Sequence, residues 1–249
     1  MSPSFEDTLA GLRGVEGWLS DGQARRLWDR AREVPPGGTI AEIGSYHGRS
    51  AIVLASASAD DVRVFAIDPH AGNDRGPQQI EGSSDEGDAD NRAFRANLER
   101  AGVASSVTHV RRRSSDALVE IDGTLDMLYV DGAHRYGPAR DDIDRWGARV
   151  APGGTMLVHD AFSSIGVTLA FVRLLFLGRD FVYVGRTRSL AEFRRSERPL
   201  GAAERARNAG RLAAQLPWFA RNVLLKTVVV LRLPVLPRLL GGRPGEWPY

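Results

Sequence analysis

The chain has 249 residues, 43% of them hydrophobic and 26% charged, a formal net charge of +2 and no cysteine. Those values describe an ordinary globular protein, long enough for one full α/β domain with an appendage. Without cysteine, disulfides and thiolate metal centres are excluded, and the redox compartment stays open. Residues Met1 to Asp7 lack a basic stretch followed by an apolar core, so they do not read as a secretory signal; the expected location is the cytoplasm.

The charge is unevenly spread. Residues 186–249 hold 13 Arg or Lys against 4 Glu, a balance of +9, which leaves residues 1–185 at −7. A mildly acidic body with a basic tail points to a tail with its own partner or surface. Nucleic acid is not the expected partner, because the tail arginines are interleaved with long aliphatic residues and carry no nucleic-acid motif.

In chain order, residues 6–33 predict two short amphipathic helices. The first carries Leu9, Leu12 and Val15; the second starts at Ser20-Asp21, a plausible cap, and carries Ala24, Leu27, Trp28 and Ala31. From residue 39 onward strands and helices alternate. Strands are expected at 39–43, 62–67, 107–110, 125–130 and 154–159, and helices at 48–58, 90–101, 114–120 and 137–147. Such alternation means βαβ units and a mostly parallel sheet. After a helix beginning beyond Ser164, Phe181–Gly185 and Ser189–Phe193 read as an antiparallel pair closing the sheet. The expected organisation is a helical cap at 1–38, a catalytic domain at 39–195 and a basic, apolar extension at 196–249.

Two segments break the pattern. Residues 71–90 are polar, acidic and glycine-rich, and a connection of that length is either a lid or a floppy surface loop; its place directly after Asp68 favours the lid. Residues 216–240 are apolar but interrupted by Arg221, Lys226, Arg232, Pro234, Pro237 and Arg238. Their uninterrupted run falls short of the roughly 20 residues a spanning helix needs. Packing on the main domain, packing on a second subunit in a homo-oligomer, and peripheral contact with the inner face of a membrane all stay open.

The chemistry gathers at the ends of the predicted strands. Ala41-Glu42-Ile43-Gly44-Ser45-Tyr46-His47-Gly48-Arg49-Ser50 closes a strand on an acid and passes two glycines before a helix. Glycine at 44 and 48 allows the backbone to approach a ligand. A second strand ends on Asp68, a carboxylate suited to ribose hydroxyls, and Ser114-Ser115-Asp116 follows a third strand, where an adenine edge would lie. The Gly-x-Gly-x-x-Gly dinucleotide pattern fails because Tyr46 holds its middle slot. These features outline a site for S-adenosylmethionine (SAM), whose cationic groups suit an acidic site with Glu42 near its first loop. An oxidoreductase and a protein that binds SAM without turnover stay open as alternatives.

A second constellation is Tyr129-Val130-Asp131-Gly132-Ala133-His134-Arg135-Tyr136, with His159-Asp160 ending the next strand. Asp131 and Asp160, from adjacent strand ends, suit a hard divalent cation such as Mg²⁺. His134 has the ordinary pKa of a general base near neutrality. His47, His70, His134 and His159 all fall at or just after strand ends, whereas His109 lies within a strand.

On these residues, together with Ala66-Ile67-Asp68-Pro69-His70 and Pro152-Gly153-Gly154, the chain resembles class I SAM-dependent O-methyltransferases of the family-24 type, over about residues 16–195. The resemblance implies a Rossmann-like α/β sheet, mostly parallel with an antiparallel closing strand and helices on both faces. It implies methyl transfer to a hydroxyl of a sugar, oligosaccharide or other small hydroxylated metabolite, with the actinobacterial methylmannose polysaccharide enzymes as one such group. Glu42, Gly44, Ser45, Gly48, Ser50, Asp68, Ser114, Ser115, Asp116 and Asp131 would hold SAM. A more distant similarity to catechol-type enzymes implies Mg²⁺ on Asp131 and Asp160, with His159 beside them and His134 as base. The position after Asp160 is Asn in that group and Ala161 here, one metal ligand fewer.

Overall fold

The computed structural model describes residues 3–72 and 82–230. Its centre is one seven-stranded sheet in the order β3-β2-β1-β4-β5-β7-β6. The strands are β1 (Thr39–Ile43), β2 (Arg63–Ile67), β3 (Val107–Val110), β4 (Leu125–Val130), β5 (Val150–Val158), β6 (Phe181–Thr187) and β7 (Leu190–Arg195). Strands β1 to β5 are parallel, and β7 runs antiparallel to both β5 and β6, as the sequence pattern predicts. Between β1 and β4 the direction of sheet growth reverses. At such a switch point the loops leaving the two carboxyl ends diverge and open a crevice.

Side-chain alternation explains both helical layers. Ile40, Val64, Met127, Tyr129 and Leu157 join one buried cluster with α1 (Phe5–Gly11), α2 (Asp21–Ala31), α3 (Arg49–Ala57) and α4 (Ser84–Arg100). Ala41, Ile43, Leu128, Val130 and Val158 join the other, with α5 (Ser114–Ala117), α6 (Tyr136–Asp141), α7 (Ile165–Leu174) and α8 (Ala202–Ala213). Every residue of β1 is buried, so the strand reads as a continuous run with no polar face.

Local chemistry corrects several expected boundaries. Ser83 and Glu86 form a capping box, Ser83 Oγ accepting from Glu86 N at 3.3 Å and Glu86 Oε2 from Ser83 N at 3.4 Å. That cap starts α4 at Ser84, inside the stretch expected to be a loop; the rest of the expected lid, 73–81, lies outside the described residues. The helix expected at 137–147 begins as α6 but widens into a π turn at Asp142–Trp146, then a tight turn at Gly147–Arg149. The helix expected at 114–120 shortens to the four residues of α5.

The extension folds back onto the body as α8 and α9 (Leu216–Val230). Asn208, on α8, pairs with the outer edge of β6: its Oδ1 accepts from Tyr183 N at 2.8 Å and its Nδ2 donates to Phe181 O at 3.1 Å. From α9, Asn222 Nδ2 donates to Phe162 O at 3.1 Å and Lys226 Nζ to Ser163 O at 2.9 Å. Of the packings open for 216–240, α9 takes the one on the main domain, while 231–240 lie outside the described residues. Among the described residues no helix is long and apolar enough to cross a membrane.

Candidate active site

A cavity of about 470 Å³ opens at the carboxyl ends of β1, β2 and β4. That is the size of a small-ligand cleft, roughly 300–1,000 Å³. Its floor is the loop after β1, whose sharp path needs positive φ at Gly44 (84°), Tyr46 (43°) and Gly48 (85°). The strain at Tyr46 is held by Asp68, whose Oδ2 accepts from Ser45 N at 2.9 Å and Tyr46 N at 2.8 Å. Asp68 Oδ1 accepts from His70 N at 2.8 Å. A carboxylate offers about four acceptor sites. With three in use, Asp68 shapes the loop and has one left, where the sequence suggested a carboxylate accepting from both ribose hydroxyls.

Gly44 is also glycine for a different reason than expected. A β-carbon there would collide with the backbone of Asp131 and lie 2.9 Å from Gly132 N. The glycine is required so that β1 and β4 can end side by side. Gly48 starts α3, and a β-carbon on it would meet the Phe94 ring at 3.1 Å.

Glu42 lies one layer below the cavity. It is fully buried beneath Ser45 and Ser50, and burial, only partly offset by those two hydroxyls, pushes its carboxyl up to about 8. At neutral pH it is therefore uncharged, not the acidic partner for a cation that the sequence suggested. Beyond Asp68 the cavity ends in a slot between Ile67, Leu118 and Trp146. Ser114 and Ser115 line that end, but Asp116 is exposed, accepts from Ser115 Oγ at 3.1 Å and stands outside the lining. Instead the buried Asp142 lines the slot, its Oδ1 accepting from Ser114 Oγ at 2.5 Å.

The opposite end holds the charged cluster. His134 Nε2 lies 2.8 Å from Asp160 Oδ2 and 4.0 Å from Asp131 Oδ1. His159 Nδ1 lies 3.2 Å from Asp131 Oδ1 and 3.5 Å from Asp160 Oδ2. Burial alone would lower both imidazoles, but the two carboxylates outweigh it and hold each up to about 10, Asp160 foremost for His134 and Asp131 for His159. Despite burial, the same pairing holds Asp131 below the usual carboxylate range, and Asp160 well below it. So in the bare cluster His134 is an acid, not the near-neutral base its ordinary pKa suggests. Tyr129 OH donates to Asp131 Oδ2 at 2.8 Å, fixing that carboxylate.

Of the four residues, Asp131, His134 and Asp160 bring one ligand atom each within 4.8 Å of one another. His134 thus replaces His159 in the geometry expected of a metal set. The other ring nitrogen of His159 faces Gln23, whose Nε2 lies 3.1 Å from its Nε2. Ala161 is buried and offers no ligand.

Other lining residues were not marked in the sequence. Arg49 Nη1 donates to Leu12 O at 3.0 Å and Val15 O at 2.9 Å, and its Nε to Leu19 O at 3.1 Å, which ties the segment before α2 over the cavity mouth. That segment presents Trp18, 49% exposed, 5.5 Å from the Tyr46 ring, and Glu16, whose Oε2 accepts from Tyr46 OH at 3.2 Å. The Ser20 cap was visible in the chain, but nothing in it shows that Gln23 reaches across to His159.

Comparison with known proteins fits this geometry. Residues 41–161 match the family Methyltransf_24, described as a methyltransferase domain. A stretch of 77 residues is 35% identical to the ribosomal RNA small subunit methyltransferase G of a Nocardioides species, over 28% of this chain; the match spans only 30% of that relative's length. The SAM-dependent O-methyltransferase of Thermotoga maritima shares the fold with a TM-score of 0.53 at 17% identity, over 80% of this chain and 74% of that one. The O-methyltransferase NovP does so with a TM-score of 0.56 at 17% identity, over 73% and 84%. The match to the Methyltransf_24 family covers residues 41–161, and the seven-stranded sheet around it has the Rossmann-like methyltransferase fold.

Proposed function

We propose that the protein is a SAM-dependent O-methyltransferase acting on a hydroxyl of a sugar or saccharide, with a divalent cation at Asp131 and Asp160 and His134 as general base. The observation that carries this is one cavity joining the Asp68-braced loop to the end of β4 that bears Asp131 and His134. When bound, SAM supplies a methyl group on a sulfonium. The residues that would hold it are Ser45, Asp68, Ser114 and Asp142 along the cavity, with the Gly44–Gly48 backbone beneath. Orientation by a preformed cleft is itself a large part of the rate.

The cation fits what the chain offers. Two carboxylate oxygens, from Asp131 and Asp160, converge beside His134, and among the described residues the buried Asp160 Oδ1 has no hydrogen-bond partner. Held there, Mg²⁺ would polarise the acceptor hydroxyl and offset the carboxylate charge that otherwise keeps His134 protonated. His134, whose side chain is 41% exposed, would take the hydroxyl proton. Trp18 and Glu16 on the rim support a saccharide acceptor: an aromatic face packs against the C–H face of a sugar ring, and a carboxylate accepts from neighbouring hydroxyls.

Transfer of labelled methyl from SAM to a panel of saccharides, with Mg²⁺ and with chelator, tests this. His134→Ala and Asp131→Ala are each expected to lose about 100-fold or more in kcat. Wild-type rates in both variants would sink the assignment, and tight SAM binding without turnover on any acceptor would mark a non-catalytic binder.

A further inference from the structure

We infer that the groove between β6 and the C-terminal extension is a second binding site, separate from the cavity at the strand ends, where Arg186 and Arg211 take the phosphate of a small phosphate ester. Tyr183, Val184, Gly185, Arg186, Arg211 and Gln215 line this groove, and it shares no residue with the larger cavity. Its volume of about 530 Å³ lies within the roughly 300–1,000 Å³ of small-ligand sites, more than a bare anion fills.

Both guanidinium groups are held in place by neutral partners. Arg186 Nε donates to Gln215 Oε1 and its Nη1 to Arg188 O, each at 2.8 Å, and the group lies 3.8 Å from the centre of the Trp218 ring. Arg211 Nη2 donates to Val184 O at 2.9 Å. A guanidinium has five N–H donors, so most of these donors stay open to a ligand. Among the described residues neither group has an acidic partner, whereas Arg26 is matched by Glu192 at 2.6 Å and Arg198 by Glu204 at 2.9 Å. The two charges also converge: burial raises the Tyr183 hydroxyl, and Arg186 and then Arg211 pull it back. Two fixed cations facing one groove without a counter-charge repel each other, and an oxyanion bridging them removes that cost. The planar fork of arginine matches phosphate oxygens two at a time.

The backbone is shaped for the groove as well. The pairing of β6 with β7 slips between Tyr183 and Gly185, which leaves Val184 in a bulge whose carbonyl meets Arg211. A β-carbon on Gly185 would meet nothing within 4 Å, so the space above the bulge is open. Arg211 comes from α8 and Trp218 from α9, so the basic extension completes a site that β6 alone does not have.

Calorimetric titration of the full chain with glucose 1-phosphate and with acetate, at pH 7.5 and low ionic strength, tests this. The ester is expected to bind with a Kd of about 0.1 mM, and acetate about 10-fold more weakly because one carboxylate cannot serve both forks. Arg186→Gln and Arg211→Gln are each expected to weaken the ester about 10-fold or more, the scale of one hydrogen bond to a charged group. Arg211 is exposed, so its variant carries the test if Arg186→Gln, which also loses the Trp218 contact, fails to fold. No binding of the ester by wild type, a wild-type affinity in folded Arg211→Gln, or equal affinity for acetate would overturn the inference. So would displacement of the ester by S-adenosylhomocysteine, which would put it in the other cavity.

Discussion

Glu42 shows how a single carboxyl ties stability to pH. Its ordinary value is 4.5 and burial raises it to about 8, so the folded chain keeps a proton that the unfolded chain releases across that interval. The contribution is fully present below pH 4.5, falls as pH rises through the window and is lost above about 8. Glu42→Gln keeps the shape and removes the titration. Denaturant unfolding at pH 5 and pH 8.5 should show wild type losing about 4 kcal/mol relative to the variant. Equal slopes would mean that Glu42 is not held neutral. Position and depth were unequally legible here: an acid closing β1 could be read directly, but a strand buried on both faces has no polar side to show which way its last residues point. Asp68 and His134 carry the same lesson, since their placement was legible while their bonding partners, brought from other strands, set their chemistry.

At the scale of elements, α6 and α7 meet so closely that Gly166 admits no side chain. A β-carbon there would collide with His134 O and lie 2.6 Å from Tyr136 N and 2.8 Å from Arg135 C. The contact is reinforced by Ser164 Oγ donating to His134 O at 3.0 Å. Gly166→Ala must push the His134 segment away, at about 1–3 kcal/mol of stability. Urea unfolding and methyl-transfer assays should fall together; a stable variant with full activity would show that the loop yields freely. Strand alternation made the sheet readable because period-two burial is a local signal. The π turn was not readable, because it arises where Asp142 turns to Ser114 and Trp146 to the same residue, pairings 28 and 32 residues apart.

For the whole molecule, the extension closes the far edge of the sheet. Asn208 gives β6 the donor and acceptor that a neighbouring strand would give, and Arg211 Nη2 adds a bond to Val184 O at 2.9 Å. Asn208→Ala leaves Tyr183 N and Phe181 O without those partners in a buried place and should cost about 2–4 kcal/mol. A thermal melt reads that loss, while the affinity for S-adenosylhomocysteine at the distant cavity should be unchanged. The charge asymmetry of the tail was plain in the chain, but its docking was not, since side-chain amides reaching backbone leave no pattern in composition. One further property of the tail lies in its amine. Lys226 is the sole lysine, half-buried, lowered in basicity by burial and bonded to Ser163 O beside Asp160. Amine-acylating reagents thus find one lysine side chain in the protein, and the extent of its modification reads how far the docked α9 shields that amine, a built-in reporter that needs no engineered label.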